Sequence, residues 1–262
     1  MPLYNFGAGT AVGRRNGVDQ NNVAITIPTP AQLAVLQDID VSFDRSLKEL
    51  IGQNTFAVDI AGAQTKIMGK AKFAGIQANF FNDLFFGQVL TSGASVGEQM
   101  AVNESHVSAT TVTIAPPGTG TFVHDLGVLF TATGVQLVRV ASAPATGQYS
   151  VVESTGVYTM AVADAGLLLS ITYSYTMGAA GTMKEITITN QLMGLSPSFE
   201  MHMQMNYPNN SGVVMTLNLR LNACKASKLD FPAKNTDYTL PSFDFQAFAD
   251  ASGTVGVLTL PQ

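Results

Sequence analysis

The sequence predicts a mainly β fold, and three observations carry this prediction. Apolar residues make up 46% of the 262 residues, enough for a sizeable core, whereas charged residues make up only 12%. In most segments, apolar and polar residues alternate with a period of two, which is typical of a half-buried strand. Turn signals that contain Gly or Pro separate these runs, and only one segment shows a clear helical stripe.

Residues 1–37 are predicted to form an N-terminal arm, because they are rich in Gly and Asn and have little to bury. Near the end of the arm, Thr29 followed by Pro30 is typical of a helix start and predicts a short helix over residues 31–37.

The next segments predict strands with one helical turn between them. Residues 39–44 alternate and predict a strand, whereas residues 45–53 predict a single helical turn. Residues 56–62 and 65–77 predict two further strands joined by a turn at 61–64.

Lysines share one face of the second of these strands, at Lys66, Lys70 and Lys72. Such a strip fits an ion-pair ladder between subunits, a phosphate contact or a solvated strand face. If it pairs between subunits, Lys70→Glu should weaken assembly and spare the fold.

The segment 79–87 carries the helical stripe, formed by Phe80, Phe81, Leu84 and Phe85. Asn79 is the predicted cap, Gly87 the predicted end, and the polar pair at 82–83 is expected to face outward. We expect the aromatic stripe to pack on a sheet.

Residues 91–183 differ in composition, with five acids against a single base, Arg139. Turn signals separate short strand-like runs, and this spacing predicts a small β-sandwich or barrel. The runs are VSATTVTIA, VQLVRVA, YSVVES, VYTMAVA and LLLSITYSYT. We therefore predict an inserted β-domain at 91–183, inside a second β-domain made of residues 38–90 and 184–262.

The final part returns to long alternating strands. In residues 213–225, leucines face one way, and Asn218, Arg220 and Asn222 face the other. Residues 237–262 contain two strand-like runs around the turn sequence DASG. Met201, Met203 and Met205 share one face of the strand-like run 198–207 and fit either core filling or a subunit contact.

The residues give no support for catalysis, a metal or a cofactor. A single cysteine, Cys224, excludes a disulfide scaffold and a four-cysteine zinc site, and the three histidines lie far apart in sequence. The Gly-rich start lacks a phosphate-binding lysine. We expect a non-enzymatic protein without catalytic, metal-binding or cofactor-binding residues.

The net charge and the lack of targeting signals limit the expected partners and location of the protein. A net charge of −5 argues against a dedicated nucleic-acid binder. The first residues lack the apolar run of a signal peptide, and polar groups interrupt the longest uncharged stretch, residues 165–183. We therefore expect a chain made in the cytoplasm, without a membrane contact, whose sparsely charged surface is covered by neighbouring subunits.

Several segments, taken in order from about residue 37 to 260, resemble tail tube (major tail) proteins of contractile-tailed bacteriophages. The segments are GKAKFAGIQ with FNDLFFGQ, GVYTMAVADAG with SITYSYT, NQLMG with SPSFEM, LNACKASKL, and FDFQAFADASGTVGVL. Residues 91–183 match least firmly.

The resemblance implies a β-sandwich or barrel subunit with one short helix that assembles into hexameric rings. The rings stack into a tube in the virion tail, assembled in the bacterial cytoplasm, with sheath, baseplate and tail-terminator proteins as partners. Genome DNA passes through the lumen without specific binding. On this basis, residues 56–61, 65–77, 184–192 and 213–223 are predicted to form the inner barrel. The candidates for the lumen or for contacts between subunits are Lys66, Lys70, Lys72, Asn218, Arg220 and Asn222. The arm, the 61–64 turn and the C-terminus are predicted to stack rings.

Two other functions stay open. One is a different virion structural protein, such as a capsid-decorating or baseplate component. The other is a secreted carbohydrate-binding or hydrolytic β-domain, which the absence of Trp and of a signal peptide opposes.

Overall fold

The computed structural model describes residues 9–18, 23–33, 36–53, 55–75, 77–92, 97–178, 183–192, 195–208, 214–233 and 235–260. Strand accounts for 58% of the structure and helix for 7%, which confirms the predicted mainly β class. The chain divides into two compact units, and we call them the sheet unit (Met1–Val89 with Ile186–Gln262) and the inserted unit (Leu90–Glu185).

The first half of the sheet unit consists of strands and one helical segment: β1 (Thr10–Asn16), β2 (Pro30–Gln32), β3 (Leu36–Ile51), β4 (Ala57–Phe73) and α1 (Ala78–Phe81), which continues as a π-helix over Asn82–Phe86. Gly87 ends the helical segment in the left-handed conformation, at φ 62°, as predicted. The predicted cap at Asn79 is wrong, because the helix begins after Gln77 and no side chain caps it.

The inserted unit contains strands β5 (Leu90–Ser92), β6 (Glu98–Val107), β7 (Thr111–Thr113), β8 (Thr121–Phe130), β9 (Val138–Arg139), β10 (Gln148–Val152), β11 (Val157–Met160), β12 (Leu168–Thr176) and β13 (Lys184–Ile186). Two 3-10 turns, Pro117–Thr119 and Val162–Asp164, connect some of them. A four-stranded sheet, β7-β11-β10-β9, and a three-stranded sheet, β6-β12-β8, share one core, as in a sandwich, while β5 pairs with β13.

The second half of the sheet unit contains β14 (Ser198–Pro208), β15 (Val214–Asp230), β16 (Ser242–Ala247) and β17 (Gly256–Thr259). The strands of this unit form one antiparallel sheet in the order β2-β1-β14-β15-β16-β4-β3, and β17 pairs with β15. Most of these strands are far apart in sequence, so long-range pairing holds the unit together.

The sheet has one apolar and one polar face, as the alternation predicts. Phe199, Met201, Leu221, Phe243 and Phe245 lie on the apolar face, where the helical segment packs over them. A Cβ atom at Gly69 would lie 2.1 Å from the Phe245 ring, so this position of β4 requires glycine. Met201 and Met203 are buried there, which supports core filling for these methionines.

The predicted arm differs from the structure. Thr10–Asn16 forms an interior strand that pairs with β14 on one side and β2 on the other, and Ala11 is fully buried. The helix predicted over 31–37 is wrong, because residues 31–32 lie in strand β2 and residues 36–37 in strand β3. Partners distant in sequence override the weak local helix signal. Residues 1–8, 34 and 35 lie outside the described residues.

The β3–β4 hairpin also differs from the prediction. The helical turn predicted over 45–53 is wrong, since β3 continues as strand to Ile51. The turn predicted at 61–64 is wrong as well, because β4 runs unbroken through it. The small residues there mark an irregularity in the β3–β4 register, between Arg45 and Leu47, instead of a chain reversal.

Several other strands also differ from their predicted positions. Only Lys184–Ile186 of the predicted strand 184–192 is strand, and it pairs with β5 instead of joining the large sheet. In the inserted unit, the sequence predicts β12 but neither of its partners, β6 and β8. The pairing of β8 with β12 skips Val123 and Leu126, and this irregularity breaks the period-2 pattern of β8 in the sequence.

Candidate assembly surfaces

The β3–β4 hairpin extends beyond the rest of the sheet. In β4, residues 67–72 lie between β3 and β16, whereas residues 57–66 pair only with residues 44–51 of β3 among the described residues. We call this paired extension, with the connecting residues 52–56, the hairpin arm. Its strands are long enough to reach roughly 25 Å past the end of β16.

The hairpin arm exposes large apolar side chains. Phe56 is 85% exposed and Ile51 is 70% exposed. Other large apolar side chains of the arm that are more than half exposed are Leu47, Leu50, Val58 and Ile60. Single exposed apolar residues are ordinary on a monomer, but six on one projecting hairpin indicate a surface that another molecule covers.

Beside the hairpin arm, two strands take turns as the neighbour of β15. Strands β16 and β17 follow one another along the same side of β15, opposite residues 224–230 and 218–221. The arm passes the end of β16 on the side where β17 lies, yet the arm and β17 are not hydrogen bonded within the described residues. Each therefore presents an unpaired strand edge, a ready template for another strand.

The lysines predicted as a strip lie on the polar face of the sheet. The Nζ of Lys72 is 3.2 Å from Oδ2 of Asp38, and the Nζ of Lys70 is 3.9 Å from Oδ1 of Asp244. Lys66 lies opposite Asp44 in the register of β4 and β3. Acids of neighbouring strands thus flank the strip within one chain, and the spacing of the lysines alone does not predict these acids.

Because of these partners, we now expect Lys70→Glu to destabilise the fold itself. Lys70 lies between Asp40 of β3 and Asp244 of β16, so the substitution would place three acids side by side. Urea denaturation should show a loss of about 1 kcal/mol in the free energy of unfolding. Lys48→Glu, whose register partner is Ala61, makes the same charge change and should leave that free energy nearly unchanged. Equal stability of the two variants would contradict the prediction.

A second charged group, centred on Glu200 of β14, was missed from the sequence. The Glu200 side chain is only 11% exposed, forms an ion pair with Arg14 of β1 and accepts a hydrogen bond of 2.9 Å from Nε2 of His202, if that nitrogen is protonated. The predicted residue Arg220 also lies here, with its Nε 3.9 Å from Oε1 of Glu200. The signal in the sequence was an acid within an alternating apolar strand.

The predicted residues Asn218 and Asn222 have different surroundings. Asn218 lines a shallow depression of the polar face, together with Thr10, His202, Gln204, Arg220 and Thr259. Asn222 donates a 2.7 Å hydrogen bond to Asp250. Hydrogen bonds from Ser252 and Asn222 lower the pKa of Asp250 to about 2, so this carboxylate stays charged and holds the loop before β17.

The predicted helix–sheet residues lie on the apolar face. Phe80, Phe81 and Leu84 are buried, whereas Phe85 is half-buried against the same core. The Phe80 ring packs edge-on against Phe73 and Phe243, with ring centroids 5.3 and 5.5 Å apart.

Asn82 does not face outward as expected. Its side chain is buried, donates a 2.8 Å hydrogen bond to the carbonyl of Gln88 and accepts one of 2.9 Å from the Gln88 N–H. This pair of bonds satisfies the buried backbone donor and acceptor of Gln88, which follows the end of the helical segment.

The inserted unit has a buried carboxylate at its centre. Asp125, whose side chain is 3% exposed, accepts hydrogen bonds from the hydroxyls of Tyr149 at 2.7 Å and Tyr158 at 2.9 Å. The Nη1 of Arg139 lies 3.7 Å from Asp125 and 2.9 Å from Glu153. The single base of residues 91–183 thus offsets the charge of a buried acid, and the network is structural.

Burial of tyrosines makes the inserted unit sensitive to alkali. Burial, with hydrogen bonds to Asp125, raises the pKa of Tyr149 and Tyr158 well above the usual 10, and burial raises the pKa of Tyr173 likewise, aided by its hydrogen bond to Glu104. Above pH 10 the unfolded chain loses these protons and the folded chain keeps them, so stability falls as the pH rises.

We therefore expect at least three of the seven tyrosines to ionise only as the protein unfolds. A titration that follows tyrosinate absorbance and near-ultraviolet circular dichroism together should show this late, cooperative step. In concentrated urea, all seven should titrate in one step near pH 10. Reversible ionisation of all seven without loss of the dichroism signal would contradict the prediction.

Three further features of the described residues are their metal-ligating side chains, the cysteine and the helices. No group of three or more His, Cys, Asp or Glu side chains among them is placed to hold a metal ion. Cys224 is fully buried, and burial raises the pKa of its thiol to about 12, so the thiol is neutral and packs as a small apolar group. Across the part of the chain that is described, no helix has the length and apolar character to cross a membrane.

In comparisons with known proteins, no family model and no curated protein matches the sequence.

Proposed function

We propose that the protein is a structural virion protein that self-assembles into stacked rings and forms a bacteriophage tail tube, the conduit for genome DNA. The observation that carries this proposal is the hairpin arm, with its six exposed large apolar side chains and its unpaired edge. The sequence resemblance to tail tube proteins is the reason for proposing a tail tube among possible assemblies, and it also implies six subunits in each ring.

The unpaired edges supply the mode of association. Strand β3 ends the sheet along all sixteen of its residues, and β17 and the arm each leave a further edge open within the described residues. A sister subunit that adds strands to these edges would satisfy their backbone groups and would remove an aggregation hazard. Repetition around a ring closes the sheet into a barrel without a free edge.

The two faces of the sheet fit the wall of a tube. The helical segment already covers the apolar face, so that face belongs to the outer, packed side of the wall. The polar face carries charged and amide side chains on six strands and fits a water-filled lumen. Such work rests on geometry and repeated contacts, and it requires no catalytic residue.

Negative-stain electron microscopy of the purified full-length protein tests the proposal. At high protein concentration, we expect rings and stacked tubes with an axial channel. A monomer that stays featureless at all concentrations would overturn the proposal. Trimers, or density bound to capsids, would favour a capsid-decorating or baseplate component.

A further inference from the structure

Bases are concentrated on the polar face of the sheet, although the chain as a whole is acidic. Seven of the thirteen Lys and Arg residues lie there: Arg14, Lys66, Lys70, Lys72, Arg220, Lys225 and Lys228. Six acids share the face: Asp38, Asp40, Asp44, Glu200, Asp230 and Asp244. The bases of this face therefore lie among a similar number of acids, and a further acid, Asp237, lines a depression together with Lys70 and Lys72.

Most of these bases are already paired within the chain. Five of the seven have a nitrogen within 4.0 Å of a carboxylate oxygen on the same face: Arg14, Lys70, Lys72, Arg220 and Lys228. The closest lysine pair joins Lys228 to Asp230 at 2.5 Å, and this hydrogen bond lowers the pKa of Asp230.

The pairs also form rows across the strands. In the row through Lys70, the register runs from Asp40 of β3 to Lys70 of β4, Asp244 of β16 and Lys228 of β15. Charges thus alternate in sign at each step, with every base between acids or beside one. An alternating row presents little net field at a distance greater than its own spacing.

From this pattern, and resting on the proposed function, we infer that the polar face meets nucleic acid without holding it, because its own acids occupy its bases. Binding to DNA phosphates gains free energy mainly when a free base displaces condensed counterions. A base that is already paired must first give up its carboxylate, so the gain is small. The acids of β3, β14 and β16 therefore keep passing DNA from adhering.

Removing two of these acids should create DNA binding. In the variant Asp38→Asn/Asp244→Asn, the partners of Lys72 and Lys70 become neutral amides of similar size. The matched control Glu98→Gln/Glu185→Gln makes the same change in net charge at exposed positions of the inserted unit. The probe is a double-stranded DNA of random sequence, and fluorescence anisotropy is followed against salt concentration.

We expect the natural protein and the control to bind DNA equally weakly. The Asp38→Asn/Asp244→Asn variant should bind at least about tenfold more tightly at low salt, with a slope of log affinity against log salt that is steeper by about two. Salt-sensitive DNA binding by the natural protein, or equal binding by the two variants, would overturn the inference.

Negative-stain microscopy of the same samples distinguishes failure of this inference from failure of the proposed tube function. If tubes form but the natural protein binds DNA strongly, the inference fails and the proposed function stands. If no tubes form but only the variant without the acids binds DNA, the pairing of bases is supported and the tube function fails.

Discussion

Replacing Phe81 by aspartate is expected to unfold the sheet unit. Phe81 is 4% exposed, and its ring packs against Phe73, Phe80 and Phe231 with centroid distances of 5.0–5.9 Å. The substitution leaves a large cavity and buries a carboxylate, so we expect a loss of more than about 4 kcal/mol in the free energy of unfolding. Since domains are stable by only about 5–15 kcal/mol, little of the protein should stay folded.

Circular dichroism and limited proteolysis of the purified variant measure this effect. Phe81→Leu keeps an apolar side chain at the site and should cost less than about 2 kcal/mol, with the fold retained. A Phe81→Asp protein that unfolds at the same temperature as the natural protein would show that the helical segment is not part of the core. The packing of the aromatic stripe on the sheet would then not contribute to stability.

The alternation of apolar and polar residues predicted the strands of the sheet better than their ends. The apolar positions of β14 and β15 were identified correctly, because each strand has one buried face and a period of two. The reversal between β3 and β4 was misplaced, because the small residues Ala61 and Gly62 imitate a turn. Strand pairing decided the outcome, and pairing is not visible in one segment of sequence.

The same limit applies to the charged residues. The spacing of Lys66, Lys70 and Lys72 placed them on one face, but their partners come from β3 and β16, about 30 residues before and 170 residues after them in sequence. The buried Asn82 was missed because it departs from the polar face expected of its helical segment. The group around Glu200 was missed because its partners Arg14 and Arg220 come from other strands. Pairing between strands that are distant in sequence cannot be assigned from the periodicity of one segment.

Replacing Phe56 by aspartate is expected to abolish assembly while leaving the subunit folded. Phe56 lies in the hairpin arm and is 85% exposed, so the charged side chain stays in water in the isolated subunit. The free energy of unfolding should therefore change by less than about 0.5 kcal/mol. If a sister subunit covers this position in a tube, as we propose, an unpaired carboxylate there would cost several kcal/mol at every copy. Sedimentation velocity and negative-stain microscopy at equal concentrations should show tubes for the natural protein and single subunits for the variant.

The comparison of Phe56→Asp with Phe81→Asp separates folding from assembly, because both make the same chemical change in the same unit. Val162→Asp is a further control, since Val162 is 76% exposed but lies in the inserted unit. If apolar cover of the hairpin arm drives assembly, Val162→Asp should still form tubes. Tubes from the Phe56→Asp variant would show that the arm stays in solvent after assembly. The unpaired edges of β3 and β17 would then have to supply the contacts between subunits, through backbone hydrogen bonds that a side-chain substitution does not remove.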